Sequence, residues 1–222
     1  MDDFSVARMK MIDSQLRTEA VTDYDILAVM GRLPREQFVP AQQRALAYVD
    51  TDIPIKPAGD GVPRYLMEAA PFARLLQLAE IDKADLVLDI GCGSGYSAAV
   101  LGSLANFVVA LESDAELAAL ARTNLAAVGI DNAKVVSGAL DAGHPSEGPY
   151  DVIFIDGAVE TLPAALFGQL REGGRLVAVI GYGRAAMATL YTKSENQIGL
   201  RMAFNADVRP LPGFRKPEAF VF

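Results

Sequence analysis

The chain has 222 residues, enough for one domain or one domain with an appendage, and its hydrophobic share of 51% allows a large buried core. With 20 Lys and Arg against 28 Asp and Glu the net charge is −8, which disfavours a nucleic-acid partner because phosphate binding needs a basic surface. A single Cys excludes an internal disulfide, and one Cys with one His makes no metal-binding cluster, so no metal is expected.

In chain order, "MDDFSVARMKMIDSQL" lacks the apolar core of a signal peptide, and no apolar run reaches the roughly 18–20 residues of a membrane span. A cytoplasmic protein with no membrane partner is therefore expected. Residues 4–30 carry Phe4, Met9, Met11 and Leu16, then Tyr24, Ile26, Leu27 and Met30, at helix-like spacing. Thr22 of "TDYD" is the expected N-cap of the second of these helices. "LPREQFVP" (33–40), bracketed by prolines, reads as a short helical turn or loop. "DIPIKPAGDGVPR" (52–64) holds three Pro and two Gly and reads as a loop. A helix resumes over 65–80, with Pro71 in its first turn or kinking it.

From about residue 84 strand-like apolar runs alternate with helical stretches. The strands are 85–90, 107–112, 133–137, 151–156 and 175–181, and the helices between them fall near 95–104, 114–128 and 161–170. Near-continuous apolar strands separated by helices predict an α/β fold, a mostly parallel sheet with helices on both faces. Residues 186–193 and 197–205, around "SEN", read as a hairpin that makes the sheet edge antiparallel.

The run "LVLDIGCGSGYSAAVLG" (86–102) carries Gly91, Gly93 and Gly95 at the end of the first of these strands. Glycines there let the backbone approach a ligand, and the next helix aims its free N–H groups at it. The dinucleotide spacing G-x-G-x-x-G is not met, because Tyr96 stands where its third glycine belongs. Asp89, two residues before the first glycine, suits a cationic ligand better than a pyrophosphate. The pattern D-x-G-x-G-x-G resembles the cofactor loop of class I S-adenosylmethionine-dependent methyltransferases, whose cofactor carries an amino group and a sulfonium. Glu112, at the end of the second strand, is the expected acceptor for ribose hydroxyls, the alternative being a solvated acid near the start of a helix. Asp156, ending the fourth strand, is either a pocket residue or a cap of the next turn. Cys92 reads as small packing rather than a nucleophile, and His144 as a surface-loop histidine.

The chain also resembles the protein-L-isoaspartate O-methyltransferases over nearly its whole length. The carriers are "MIDSQLR" (11–17), "LPREQFVP" (33–40), "ALAYVDTDIPI" (45–55), "LDIGCGSGYSAAVLG" (88–102), "GPYDVIFIDGA" (148–158), "QLREGGRLVAVIG" (169–181) and "VRPLPGF" (208–214). The resemblance implies a Rossmann-like class I methyltransferase fold. Residues 1–75 would be a helical and loop extension over the substrate side, and 76–222 the S-adenosylmethionine-binding α/β domain. It also implies carboxyl methylation of isoaspartyl residues in a protein or peptide substrate, as part of protein repair. A paralogue with a different acceptor or reduced isoaspartyl activity is the alternative. A nicotinamide-dependent oxidoreductase is the third reading, disfavoured by Tyr96.

Two departures stand out. The family carries a Thr-Ile-Ser stretch with an active-site serine after its "LPI"-like segment, whereas residues 56–72 here contain no Ser or Thr. Arg64, as a bidentate partner for a substrate carboxylate or merely a solvated loop residue, and Tyr65, as a substitute hydroxyl, are the catalytic candidates there. Without the serine, isoaspartyl peptides should be methylated poorly or not at all unless Tyr65 compensates. The family also places an acid that helps bind adenine after the third strand. Here Ala139 takes that place, and Asp141 is the candidate to take over after a loop shift. The expected cofactor set is thus Asp89, Gly91, Gly93, Gly95, Glu112, Asp141 and Asp156.

Overall fold

The computed structural model describes residues 3–58 and 62–216. The N-terminal part begins with α1 (Asp3–Met11), which widens into a π turn (Ile12–Leu16) and then tightens into a 3-10 turn (Arg17–Glu19). It stops at Ala20, whose backbone is left-handed at φ 61°. Helix α2 (Tyr24–Arg32) is capped by Asp23, whose carboxylate accepts from the N–H groups of Asp25 and Ile26. Thr22, the expected cap, instead gives its N–H to Gln77 Oε1 at 2.8 Å. "PREQF" forms a 3-10 turn (Arg35–Phe38).

The stretch expected as a loop over 52–64 contains β1 (Ile53–Lys56), paired antiparallel with β2 (Arg64–Leu66). Residues 59–61 lie outside the described residues. Proline is compatible with strand here, because Pro54 sits in a two-strand ribbon that tolerates a missing ladder donor. Helix α3 (Ala69–Ala79) follows, with Pro71 in its first turn, where a missing N–H costs nothing. The division expected at 75/76 thus falls inside a helix.

The remainder supplies β3 (Leu86–Ile90), α4 (Tyr96–Leu104), β4 (Phe107–Glu112), α5 (Ala115–Ala127), β5 (Ala133–Ser137), β6 (Tyr150–Val159), α6 (Ala164–Gly168), β7 (Leu170–Ile180), β8 (Met187–Ser194) and β9 (Gln197–Asn205). Seven strands form one sheet in the order β5-β4-β3-β6-β7-β8-β9, paired parallel except at the β7-β8 and β8-β9 ladders, which are antiparallel. Alternate residues of the central strands go to opposite faces, as the pleat requires. Val87, Val108, Val152 and Val177 join one core with α2, α3 and α4, and that core also takes in Met11, Leu16 and Phe38 of the N-terminal part. Leu88, Val109, Ile153 and Leu176 pack with Leu166 of α6 and with Leu211 and Phe214 of the C-terminal segment. The order in which strands are added reverses between β3 and β6, parallel neighbours in register from Val87↔Val152 to Ile90↔Ile155. In open α/β sheets that switch point, at the carboxyl ends of the strands, is where a ligand crevice forms.

Candidate active site

Gly91, Gly93 and Gly95 follow β3 at this switch point with φ of 88°, 55° and 97°, a region that L side chains avoid. The loop is held by the N–H groups of Gly91 and Cys92, both bonded to Leu111 O at 2.9 and 3.3 Å. A Cβ on Gly95 would meet Ala121 at 3.1 Å, so this glycine lets α4 and α5 pack closely. A Cβ on Gly91 would meet Leu211 at 2.9 Å, and one on Gly93 would meet Ile55 Cδ1 at 2.8 Å. The ribbon and the C-terminal segment therefore cover the glycine loop.

Four charged side chains converge beside it. Asp89 is fully buried, and Ser97 Oγ donates to its Oδ2 at 2.7 Å. Its Oδ1, like Asp156 Oδ1, is buried with no hydrogen-bond partner among the described residues. Burial holds the Asp89 carboxyl well above the usual carboxylate range, and the charge of Asp156 adds to the effect. Burial also pushes Asp156 up to about 7, against the pull of Arg64. Glu112 is fully buried yet well satisfied, accepting from the N–H groups of Gly93 (2.8 Å), Ser113 (2.8 Å) and Asp114 (3.0 Å).

The fourth is Arg64, on β2. Its Nη1 donates to Glu112 Oε1 at 2.5 Å, and its Nη2 to Glu112 Oε2 at 2.8 Å and Gly91 O at 3.1 Å. At 5% exposure it is neither the solvated loop arginine of one expectation nor, in this state, the free carboxylate partner of the other. Lys56 secures the same ribbon through Asp114 at 2.6 Å and Glu116 at 2.8 Å.

Tyr65 lies between Arg64 and Leu66, so the pleat turns it to the opposite face of β2. Its ring is half-buried under the Arg209 guanidinium, 5.1 Å from the centroid, and Arg209 in turn pairs with Asp52 at 3.2 Å. Asp141 sits in the turn Leu140–Ala142 against the C-terminal segment, where a Cβ on Gly213 would meet its Oδ1 at 3.4 Å. Cys92 is buried, and burial pushes its thiol up, which suits packing and not attack. His144 is half-buried, with Nε2 2.9 Å from Ser146 Oγ. Tyr96 is buried against Phe38 and Phe72, with ring centroids at 5.4 and 5.7 Å, and fills the space a third dinucleotide glycine would leave open. Sequence reasoning missed Ser97, Ile55 and Leu211. The first is the second residue of α4, and the others reach the loop only through long-range packing.

A cationic ligand with a neutral diol fits this set of donors and acceptors. The orphaned oxygens of Asp89 and Asp156 seek a donor or a positive charge, and Glu112 ends the strand beside the glycine loop. No group of three or more His, Cys, Asp or Glu among the described residues gathers to hold a metal ion. No helix among them is long and apolar enough to cross a membrane.

The family model for protein-L-isoaspartate(D-aspartate) O-methyltransferase matches residues 7–212. A curated protein-L-isoaspartate O-methyltransferase of Koribacter versatilis is 44% identical over 179 residues, covering 80% of this chain and 78% of the relative. One from Rhodopseudomonas palustris is 35% identical over 94% of this chain and 83% of its own length. Among solved structures, a protein-L-isoaspartate O-methyltransferase matches with TM-score 0.82 and 28% identity over 93% of this chain; the chain spans 66% of that longer one. A Plasmodium falciparum structure described as a putative enzyme of the same name, in complex with S-adenosyl-L-homocysteine, shares the fold at TM-score 0.74 and 19% identity, covering 94% of this chain and 98% of its own.

Proposed function

The chain belongs to the protein-L-isoaspartate(D-aspartate) O-methyltransferase family, and on that premise we propose that it uses S-adenosylmethionine to methylate the α-carboxylate of isoaspartyl residues in proteins or peptides, as a cytoplasmic step of protein repair. The observation that carries this reading is the glycine loop at the switch point with two buried carboxylate oxygens left unpartnered beside it. When bound, S-adenosylmethionine supplies a methyl group on a sulfonium, a good leaving group. The protein's part is to align the acceptor and keep water out.

Gly91 and Gly93 give the backbone approach, and Asp89 faces the cationic end. Glu112 accepts the ribose hydroxyls, and Asp156 lines the crevice with Asp89. Asp141 is the candidate acid for the adenine, and it would serve only if its turn shifts from Gly213. An acceptor carboxylate is ionised near neutral pH, since its ordinary pKa is about 4, so no general base is needed. Residues 56–72 offer no Ser or Thr hydroxyl to hold it, and Tyr65 points away, so turnover should be specific but slow.

Calorimetric titration separates this reading from a nicotinamide enzyme. S-adenosylhomocysteine should bind and NAD should not. Binding of NAD alone would overturn the proposal.

A further inference from the structure

Arg64 and Glu112 are 48 residues apart in sequence, and the fold makes them a buried bidentate pair. The pair occupies the very carboxylate that the cofactor's ribose is read to need. Glu112 does not depend on it, because three backbone N–H groups also donate to that carboxylate. A guanidinium can therefore be exchanged for two hydroxyls without stranding the acid.

The crevice then presents a charge problem. An acceptor carboxylate must enter a site lined by Asp89, Glu112 and Asp156. The other nearby cations are held by partners outside the Glu112 carboxylate. Arg35 spends Nε and Nη2 on Ala47 O and Met67 O and keeps Nη1 buried without a partner among the described residues, against the Tyr96 ring, while Lys56 donates to Asp114 and Arg209 to Asp52. Arg64 is the cation placed on the crevice wall, in a segment that offers no Ser or Thr to greet an anion. A planar guanidinium matches a carboxylate in two parallel bonds, so what it gives up in Glu112 it can regain from an acceptor.

We propose that Arg64 exchanges partners: it neutralises Glu112 in the cofactor-free protein and, once ribose hydroxyls take Glu112, binds the acceptor's carboxylate, making it the residue that selects an anionic acceptor. The inference rests on the methyltransferase reading above. It predicts ordered binding, with cofactor first.

The test uses S-adenosylhomocysteine, which cannot transfer a methyl group, so binding is read without turnover. Wild type, Arg64→Met and Arg64→Lys are titrated by calorimetry with S-adenosylhomocysteine, then, when saturated, with an isoaspartyl peptide. Arg64→Met should bind S-adenosylhomocysteine more tightly and the peptide more weakly, each by about tenfold or more, the scale of hydrogen bonds to a charged group. Arg64→Lys keeps the charge without the fork and should shift both in the same directions by less. Opposite signs for the two ligands are the signature, since a merely structural clamp would weaken both when removed. Weakening of both, or no change in either one, overturns the exchange while leaving the cofactor reading intact. Failure of wild type to bind S-adenosylhomocysteine overturns both. Should Arg64→Met not fold, Arg64→Lys decides alone by the same pair of signs.

Discussion

Two buried arginines hold the N-terminal part in place, and they do so in different ways. Arg35, at 1% exposure, donates to the carbonyls of Ala47 (2.8 Å) and Met67 (2.5 Å) and stacks over Tyr96 at 4.9 Å. Arg64, at 5%, donates to a carboxylate and a glycine-loop carbonyl. Arg35's acceptors are fixed backbone groups that no ligand competes for. Arg64's acceptor lies where a ligand with hydroxyls can compete. The same side chain thus builds a permanent joint in one region and an exchangeable one in the other.

The largest effect should come from breaking the permanent joint. Arg35→Met strands two buried carbonyls and should cost about 2–5 kcal/mol of stability, read by denaturant melting. S-adenosylhomocysteine affinity measured well below the transition should stay unchanged, and a loss there would mean that Arg35 also serves the crevice.

Gly93 tests the loop that the exchangeable joint covers. Gly93→Val puts a β-branched residue at φ 55°, with its Cβ 2.8 Å from Ile55 Cδ1. It should abolish S-adenosylhomocysteine binding in calorimetry while circular dichroism stays native-like. Normal binding would make the loop a structural turn only.

The crevice should also make stability pH-dependent. Asp156 stands at about 7 in the folded protein, above its ordinary value near 3.8, because burial disfavours its charge. The folded state therefore holds this proton longer than the unfolded one. The contribution is fully present below about pH 4 and is lost as pH rises towards 7. Over that window wild type should lose up to about 1.4 kcal/mol per pH unit relative to Asp156→Asn. Parallel stability curves for the two proteins would show that Asp156 titrates normally.

The smallest effect belongs to Tyr65, on the far side of β2. Tyr65→Phe should change methyl transfer by no more than about twofold, the usual range for a substitution outside such features. A larger loss would place its hydroxyl in the crevice.

The α/β core was legible because each strand is a run of apolar residues that needs no partner information to recognise. The glycine loop was legible because positive φ leaves a mark in composition. Asp89, Glu112 and Asp156 could be assigned to one crevice from strand ends alone, since a switch point brings strand ends together. The ribbon was not legible, because Pro54, Pro57 and Pro63 mask two short strands. Neither was Arg64's partner: in "VPRYL" only the alternation of Arg64 and Leu66 on one face hints at burial, and nothing local points to a carboxylate 48 residues on. The N-cap slipped from Thr22 to Asp23 for the same reason, a long-range bond to Gln77.

Methyl transfer to an isoaspartyl carboxylate is read most directly by the passage of radiolabelled methyl from S-adenosylmethionine to an isoaspartyl peptide beside its normal aspartyl twin. The predicted result is slow, base-labile labelling of the isoaspartyl peptide alone. Equal labelling of both peptides, or none of either while S-adenosylhomocysteine binds, would contradict it.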